Sequence, residues 1–179
     1  MTAMRTAAYR SVAAVLPSLF SAAAALAAGD RCLPPERFDL PVLEGCRQVA
    51  PGTLELSADA LARLPFNADG LATVLAAGQF YYVRREGHYL PVITFDNGAD
   101  YFSEGLVRAV VGGKLGYYDT RLQPAFAARF DWGWPFEDGE ALVCEGCRRG
   151  ETDADGHTPM VGGRRYRIDR HGNPLPDSP

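Results

Sequence analysis

Three phenylalanine-led segments recur along the chain: Phe66 opens "FNADGLATV", Phe102 opens "FSEGLVRAV" and Phe136 opens "FEDGEALV", 36 and 34 residues apart. A period of that size signals a repeat architecture, whose units are too small to hide their own apolar faces and share them with neighbours. A second column aligns without gaps, because "AAGQFYYVRREG", "VGGKLGYYDTRL" and "VGGRRYRIDRHG" run nine residues from Gly78 to Gly87, Gly113 to Leu122 and Gly163 to Gly172. Phe95-Asp96 and Phe130-Asp131 form a third column, 35 apart.

Each unit reads as strands. "LVRAVV" and "KLGYYD" are β-rich runs joined by Gly112-Gly113, and a Gly-Gly link supplies the two positive φ angles of a type I′ hairpin turn. That turn sets Ala109 opposite Gly116 and Arg108 opposite Tyr117, small facing small and a cation within reach of a ring. Further turns are expected at "RREGH" and "DRHGN", followed by a third run such as "HYLPVITF", whose Pro91 suits an edge or a bulge. The expected fold is all-β: about two and a half tandem three-stranded meanders, units 66–101, 102–135 and 136–175, in a small stacked array. Helix is expected only in "LSADALARLPF", with Ser57 as N-cap, apolar Leu61 and Leu64, and Pro65 as a stop. Residues 28–65 then form a cap over the open end of the array, and "HGNPLPDSP" ends the chain in mid-unit, where fraying is expected.

Ahead of the cap, "MTAMRTAAYR" carries two arginines and no acid, and "SVAAVLPSLFSAAAALAAGD" is an alanine-rich apolar run ending in small residues. This is the layout of a secretory signal peptide, residues 1–27, cleaved after Ala27. A membrane anchor is the rival reading, but Pro17 and Ser18 break a run that barely reaches the roughly 18 apolar residues of a spanning helix. Removing 27 of 179 residues leaves 152, one ordinary domain with no membrane span. Without Arg5 and Arg10, 16 basic residues stand against 22 acids, and a formal charge of minus six argues against a nucleic-acid partner. All four cysteines lie in the exported part, where an even count favours disulfides. Cys32 and Cys46 would close a loop of about 15 residues, worth roughly 3 kcal/mol by chain entropy.

"FSEGLVRAVVGGKLGYYD" and "VGGRRYRIDRHG" resemble the WG-repeat, or KWG-repeat, family, whose units run as F-x-E-G-L-A-x-V, then G-K-W-G-Y-I-D-x-x-G, then a short strand. The likeness covers about residues 66–175. The family's Trp-Gly pair is replaced by Phe80-Tyr81, Leu115-Gly116 and Arg165-Tyr166, and Trp132-Gly133-Trp134 falls in a different column. The resemblance implies a β-rich binding or scaffolding module and transfers no catalytic residues.

The third unit is enlarged: Gly139 to Gly163 spans 24 residues where Gly105 to Gly113 spans 8, so sixteen residues are inserted into a strand position. Insertions in repeat arrays usually emerge on one face, often the binding face. This one begins at Cys144-Glu145-Gly146-Cys147, which admits three readings. A structural disulfide would close a tight loop, as an oxidising compartment favours. A redox pair would need a lowered thiol pKa, commonly from a helix N-terminus, and no helix is expected to follow. A metal site could use Cys144, Cys147 and His157 with Asp153 or Asp155, although zinc sites usually pair two such motifs.

His88 and His171 fall in turns, and no G-x-S-x-G, P-loop, H-E-x-x-H or G-x-G-x-x-G occurs. Glu104, Glu137, Asp138 and Glu140 sit by the F-x-x-G columns, where acids cap turns more simply than they hydrolyse glycosides. Alternation along strands turns half of any aromatic pair outward unless both faces are covered, which makes Tyr82, Tyr117, Trp132 and Trp134 candidates for a binding surface. The functional expectation is a non-catalytic periplasmic or secreted binding protein, needing no cofactor, with a protein or polysaccharide ligand. The alternative is a thiol-redox or metal-binding protein acting through Cys144 and Cys147.

Overall fold

The computed structural model of the protein describes residues 31–33 and 42–176; the expected leader, residues 1–27, lies outside the described residues. The chain starts with strands β1 (Arg31–Cys32), β2 (Leu43–Ala50) and β3 (Thr53–Leu56), then the single short helix α1 (Ala58–Arg63). It continues as β4 (Leu71–Ala76), β5 (Gln79–Arg84), β6 (Tyr89–Val92) and the small hairpin β7 (Thr94–Phe95) and β8 (Gly98–Ala99). Then come β9 (Val107–Val111), β10 (Lys114–Tyr118), β11 (Trp132–Gly133), β12 (Glu140–Arg149) and β13 (Met160–Asp169). The fold is all-β, as the strand periodicity implies.

The strands form sheets ordered β1-β2-β3, β10-β9-β6-β5-β4 and β11-β12-β13, with β7-β8 apart. Single bridges join them: Leu33 pairs with Leu75 across the first junction, and Leu115 with Phe130 across the second. The helix begins where Ser57 Oγ accepts from the Ala60 amide at 3.1 Å, and Ala60 is buried against the first sheet.

The hairpin turns explain the register. Gly112 and Gly113 have φ of 61° and 78°, the double positive φ of a type I′ turn, and Ala77-Gly78 repeats it at 49° and 75°. Ala109 faces Gly116 and Arg108 faces Tyr117 as expected. The Arg108 guanidinium, however, lies over the Phe95 ring, 5.0 Å from its centroid, and on the Asp100 carboxylate.

The second set of turns shares one design. Arg84, Asp119 and Asp169 each accept a main-chain bond from the residue three positions on, and that residue, Gly87, Leu122 or Gly172, has positive φ. Asp119 and Asp169 reinforce it by accepting from two further amides through Oδ1. The third column does not persist. Phe130 is buried and pairs with Leu115, but the residue that pairs with the aligned Phe80 is Val92, while Phe95 belongs to the separate β7-β8 hairpin. A full three-stranded meander forms only in the first unit. In the second, the segment after β10 keeps only bridges at Pro124 and Phe130.

The sixteen-residue insertion lengthens the β12-β13 hairpin: residues 147–149 and 160–162 belong to the two strands, and residues 150–159 form the loop between them. Gly146 and Gly163 stand where Gly112 and Gly113 do in the alignment, both with positive φ, and residues 147–162 emerge between them. The β12-β13 ladder continues through this junction in one register, from Cys144 opposite Arg165 to Arg149 opposite Met160. At the far tip, "DADGH" closes with the same turn as "DRHGN", Asp153 Oδ1 accepting from the Asp155 and His157 amides.

The interior divides into three apolar clusters. Consecutive tyrosines serve different clusters: Tyr81 enters the first, Tyr82 flanks the middle one, Tyr118 enters the middle one and Tyr117 the last. Both faces of these strands are covered, so alternation along a strand does not bring these side chains to the surface.

Candidate functional site

The outward face of β11-β12-β13 follows from register and burial. Ala141, Val143, Tyr166 and Ile168 point into the last cluster, so the residues between them point out. Trp132 lies opposite Cys144, which faces Arg165, and Leu142 faces Arg167. The Trp134 amide donates to the Leu142 carbonyl at 2.9 Å, which sets Trp134 beside Leu142. The result is a face crossed by Trp132 and Trp134 on one segment, Leu142 and the buried Cys144 on the next, and Arg165 and Arg167 on the third.

Trp134 is 46 % exposed, unusual for so large an apolar side chain. Trp132 meets it edge to face, with centroids 5.1 Å apart and planes at 77°, which fixes the orientation of the exposed ring. An open cleft of about 800 Å³ runs beside it, lined by Trp134, Pro135, Glu137, Asp138, Glu140, Leu142 and Arg167. Glu140 and Arg167 are paired at 3.2 Å. The carboxylates of Glu137 and Asp138 accept no hydrogen bond among the described residues.

This segment is anchored from behind by buried polar groups of the second unit. The Tyr117 hydroxyl donates to the Trp134 carbonyl at 2.6 Å, and Arg108 Nη1 donates to the Gly133 carbonyl at 3.0 Å. Burial raises the Tyr117 phenol above its ordinary range, so it stays a neutral donor. Gly133 has to be glycine, because a Cβ there would stand 2.5 Å from Tyr117 Oη. Two hydrogen bonds from behind, with close packing at Gly133, thus hold an edge on which Trp134 faces water and Trp132 is half-buried.

Of the four candidate surface aromatics, Trp134 lines this cleft, and the half-buried Trp132 stands behind it in edge contact. Tyr82 is half-buried at another place, its hydroxyl donating to the Asp100 carbonyl at 2.8 Å. Tyr117 is fully buried and belongs to no surface, because its ring packs among Phe126, Phe130 and Phe136. Its importance to the site, as the support under Trp134, is visible only in the folded chain.

Cysteines pair as Cys32–Cys46 and Cys144–Cys147, and there is no free thiol. Cys144 is fully buried and Cys147 is 8 % exposed, so neither sulfur of the second bridge is presented to an attacking thiolate. The bridge spans Gly146, where residues 147–162 begin to lengthen the β12-β13 hairpin, and clamps that junction. His157 lies at the tip of that extension, its side chain 82 % exposed and 3.7 Å from Asp153. Cys144, Cys147 and His157 are therefore not brought together. Among the described residues no three His, Cys, Asp or Glu side chains are grouped so as to hold a metal ion.

The acids of the F-x-x-G columns are divided between two uses. Glu104 accepts from the Gly139 amide at 3.0 Å and from Arg170, and so ties the turn of the second unit to that of the third. Glu137, Asp138 and Glu140 line the tryptophan cleft. Two disulfides fit an oxidising compartment outside the cytoplasm. No helix among the described residues is long and apolar enough to cross a membrane. Comparison with protein-family models, with curated protein sequences and with solved structures returns no match to this chain.

Proposed function

We propose that the chain is an exported, non-catalytic binding protein of the periplasm or extracellular space, in which WG-like repeats hold out the Trp132–Trp134 edge as the binding surface. The observation that carries this reading is the exposure of Trp134 in a cleft whose backbone is gripped from behind by Arg108 and Tyr117. An exposed aromatic on a rigid support offers contact area at little ordering cost, as a binding anchor requires. The cysteine bridges brace the cap and the base of the extension. A pair acting in thiol exchange would be open to its partner, which the burial of Cys144 and Cys147 does not favour.

The test has two parts. Expressed with its leader in a bacterium with an oxidising periplasm, the protein is expected in the periplasmic or secreted fraction, with a mass that matches a start at Ala28 and two disulfides. The purified protein is then titrated with solubilised envelope and with secreted polymers of the bacterium used for expression. A saturable change in tryptophan emission that is lost in Trp134→Ala supports the reading. Retention of the leader with free thiols, or binding indifferent to Trp134→Ala, overturns it.

A further inference from the structure

We propose that the Trp134 cleft binds a pyranose unit without an acid group, neutral or amino-bearing, as one residue of an oligosaccharide or polysaccharide chain; this rests on the binding reading above. The chemistry of the lining selects the ligand. A pyranose has a flat C–H face and a rim of vicinal hydroxyls, so it is recognised by one exposed aromatic ring flanked by planar groups that exchange hydrogen bonds with neighbouring hydroxyls. Trp134 is that ring, oriented by its edge contact with Trp132. Around it stand Glu137 and Asp138, whose carboxylates accept no hydrogen bond among the described residues, and the Glu140–Arg167 pair, which combines an acceptor with a donor.

A protein partner fits less well. The central area of a protein interface is depleted in charge and rich in apolar side chains, and each partner buries about 800 Å². Here Trp134 and Leu142 are the only large apolar side chains of the cleft, and four of its seven lining residues are charged. The sign of those charges narrows the sugar. Three carboxylates against one guanidinium repel a uronate or other acidic residue, accept a neutral one, and attract an ammonium that can also rest on the indole face.

Of the two tryptophans of the sequence, Trp134 lines the cleft and Trp132 abuts it, so tryptophan emission of the full-length mature protein reports on this edge. The protein is titrated with hexasaccharides of glucose, N-acetylglucosamine and glucosamine, and with the hexasaccharide of galacturonic acid. Saturable binding is expected for at least one of the first three, with the galacturonate binding at least about tenfold more weakly. Trp134→Ala should weaken it by about tenfold or more, as for a central aromatic anchor, with the far-ultraviolet spectrum and unfolding midpoint unchanged. Glu137→Gln should weaken it several-fold, and most for the glucosamine chain. Because Trp134→Ala removes one of the two reporters, its binding and that of Glu137→Gln are also followed by calorimetry. Preference for galacturonate, no binding of any acid-free hexasaccharide at millimolar concentration, or binding that survives Trp134→Ala overturns the proposal. If every sugar fails while a purified envelope protein binds and loses affinity in Trp134→Ala, the sugar assignment falls and the binding function stands. If nothing binds through Trp134, both fall.

Discussion

Arg108 and Asp100 form a bidentate ion pair in the interior, Nη2 to Oδ1 at 2.6 Å and Nε to Oδ2 at 3.0 Å, with side chains only 3 % and 1 % exposed. The Arg108 amide also donates to Oδ2 at 2.9 Å, and the remaining guanidinium nitrogen reaches the Gly133 carbonyl. One buried charge pair therefore joins the β7-β8 hairpin, the second unit and the tryptophan segment.

Removing one partner of such a pair leaves an uncompensated charge in the interior and costs about 3–5 kcal/mol. Asp100→Ala is expected to lower stability by that amount in urea unfolding. It should also alter the emission of Trp132 and Trp134 before global unfolding, because the guanidinium that holds Gly133 loses its counter-charge. The double replacement Asp100→Leu with Arg108→Met should be much less harmful than either single change. A loss below about 1 kcal/mol for Asp100→Ala would show that the pair is solvated in solution and does not organise this junction.

Glycine at aligned positions carries two separable demands. Gly113 and Gly163 have φ of 78° and 66°, but a Cβ at Gly113 meets nothing within 4 Å, whereas one at Gly163 meets Cys147 N at 2.5 Å and Glu145 O at 2.6 Å. Gly113→Ala should cost only the left-handed backbone term, about 1–2 kcal/mol. Gly163→Ala should cost a further 1–3 kcal/mol or so of overpacking against main chain that cannot turn aside. Equal unfolding midpoints for the two variants would mean that the main chain of residues 145–147 does not close on Gly163 where the β12-β13 hairpin passes it.

This contrast shows what the sequence can and cannot carry. The turn columns were legible because each turn depends on a local backbone geometry that few residues adopt, which leaves Gly-Gly, "EGH" and "HGN" as visible marks. The Phe95–Phe130 column misled because a spacing of 35 does not distinguish a strand residue from one on a two-residue hairpin, and β7-β8 takes up the difference. Trp132 and Trp134 were identifiable as exotic residues in a small array. That Tyr117 supports them from the interior depends on which face of β10 meets β11, a relationship between elements that no local pattern encodes.

The two disulfides should differ in what they contribute. In the chain-entropy account, a loop of about 15 residues is worth roughly 3 kcal/mol and one of about four residues roughly 2. Replacing Cys32 and Cys46 together by alanine should therefore be the more damaging change, the more so because both are buried in the first cluster. The Cys144, Cys147 pair of replacements should cost less overall but expose amides of residues 147–162 to hydrogen exchange. Neither bridge should be alkylated in the native protein without a reductant. Rapid reduction of Cys144–Cys147 under native conditions, with Cys32–Cys46 left intact, would revive the redox reading.

Asp131 links the turn of the second unit to that of the third, its carboxylate taking the Lys114 ammonium on Oδ1 and the Gly146 amide on Oδ2. Its acidity is held below the usual carboxylate range, first by the hydrogen bond from Lys114, with Gly146 contributing against the effect of desolvation. A carboxyl with a depressed folded-state pKa adds stability that is complete above the unfolded value of about 3.9 and disappears as the pH falls through the folded value. The contribution should thus be constant through neutral pH and lost only in acid. Urea midpoints of the parent protein and Asp131→Asn should differ by a fixed amount near pH 6 and approach each other below about pH 4, the parent losing its advantage. Because Lys114 is half exposed, part of that gap should also close in high salt. A gap unchanged between these pH values would mean that Asp131 acts through the shape of its side chain, since asparagine can accept from Gly146 but cannot pair with the ammonium.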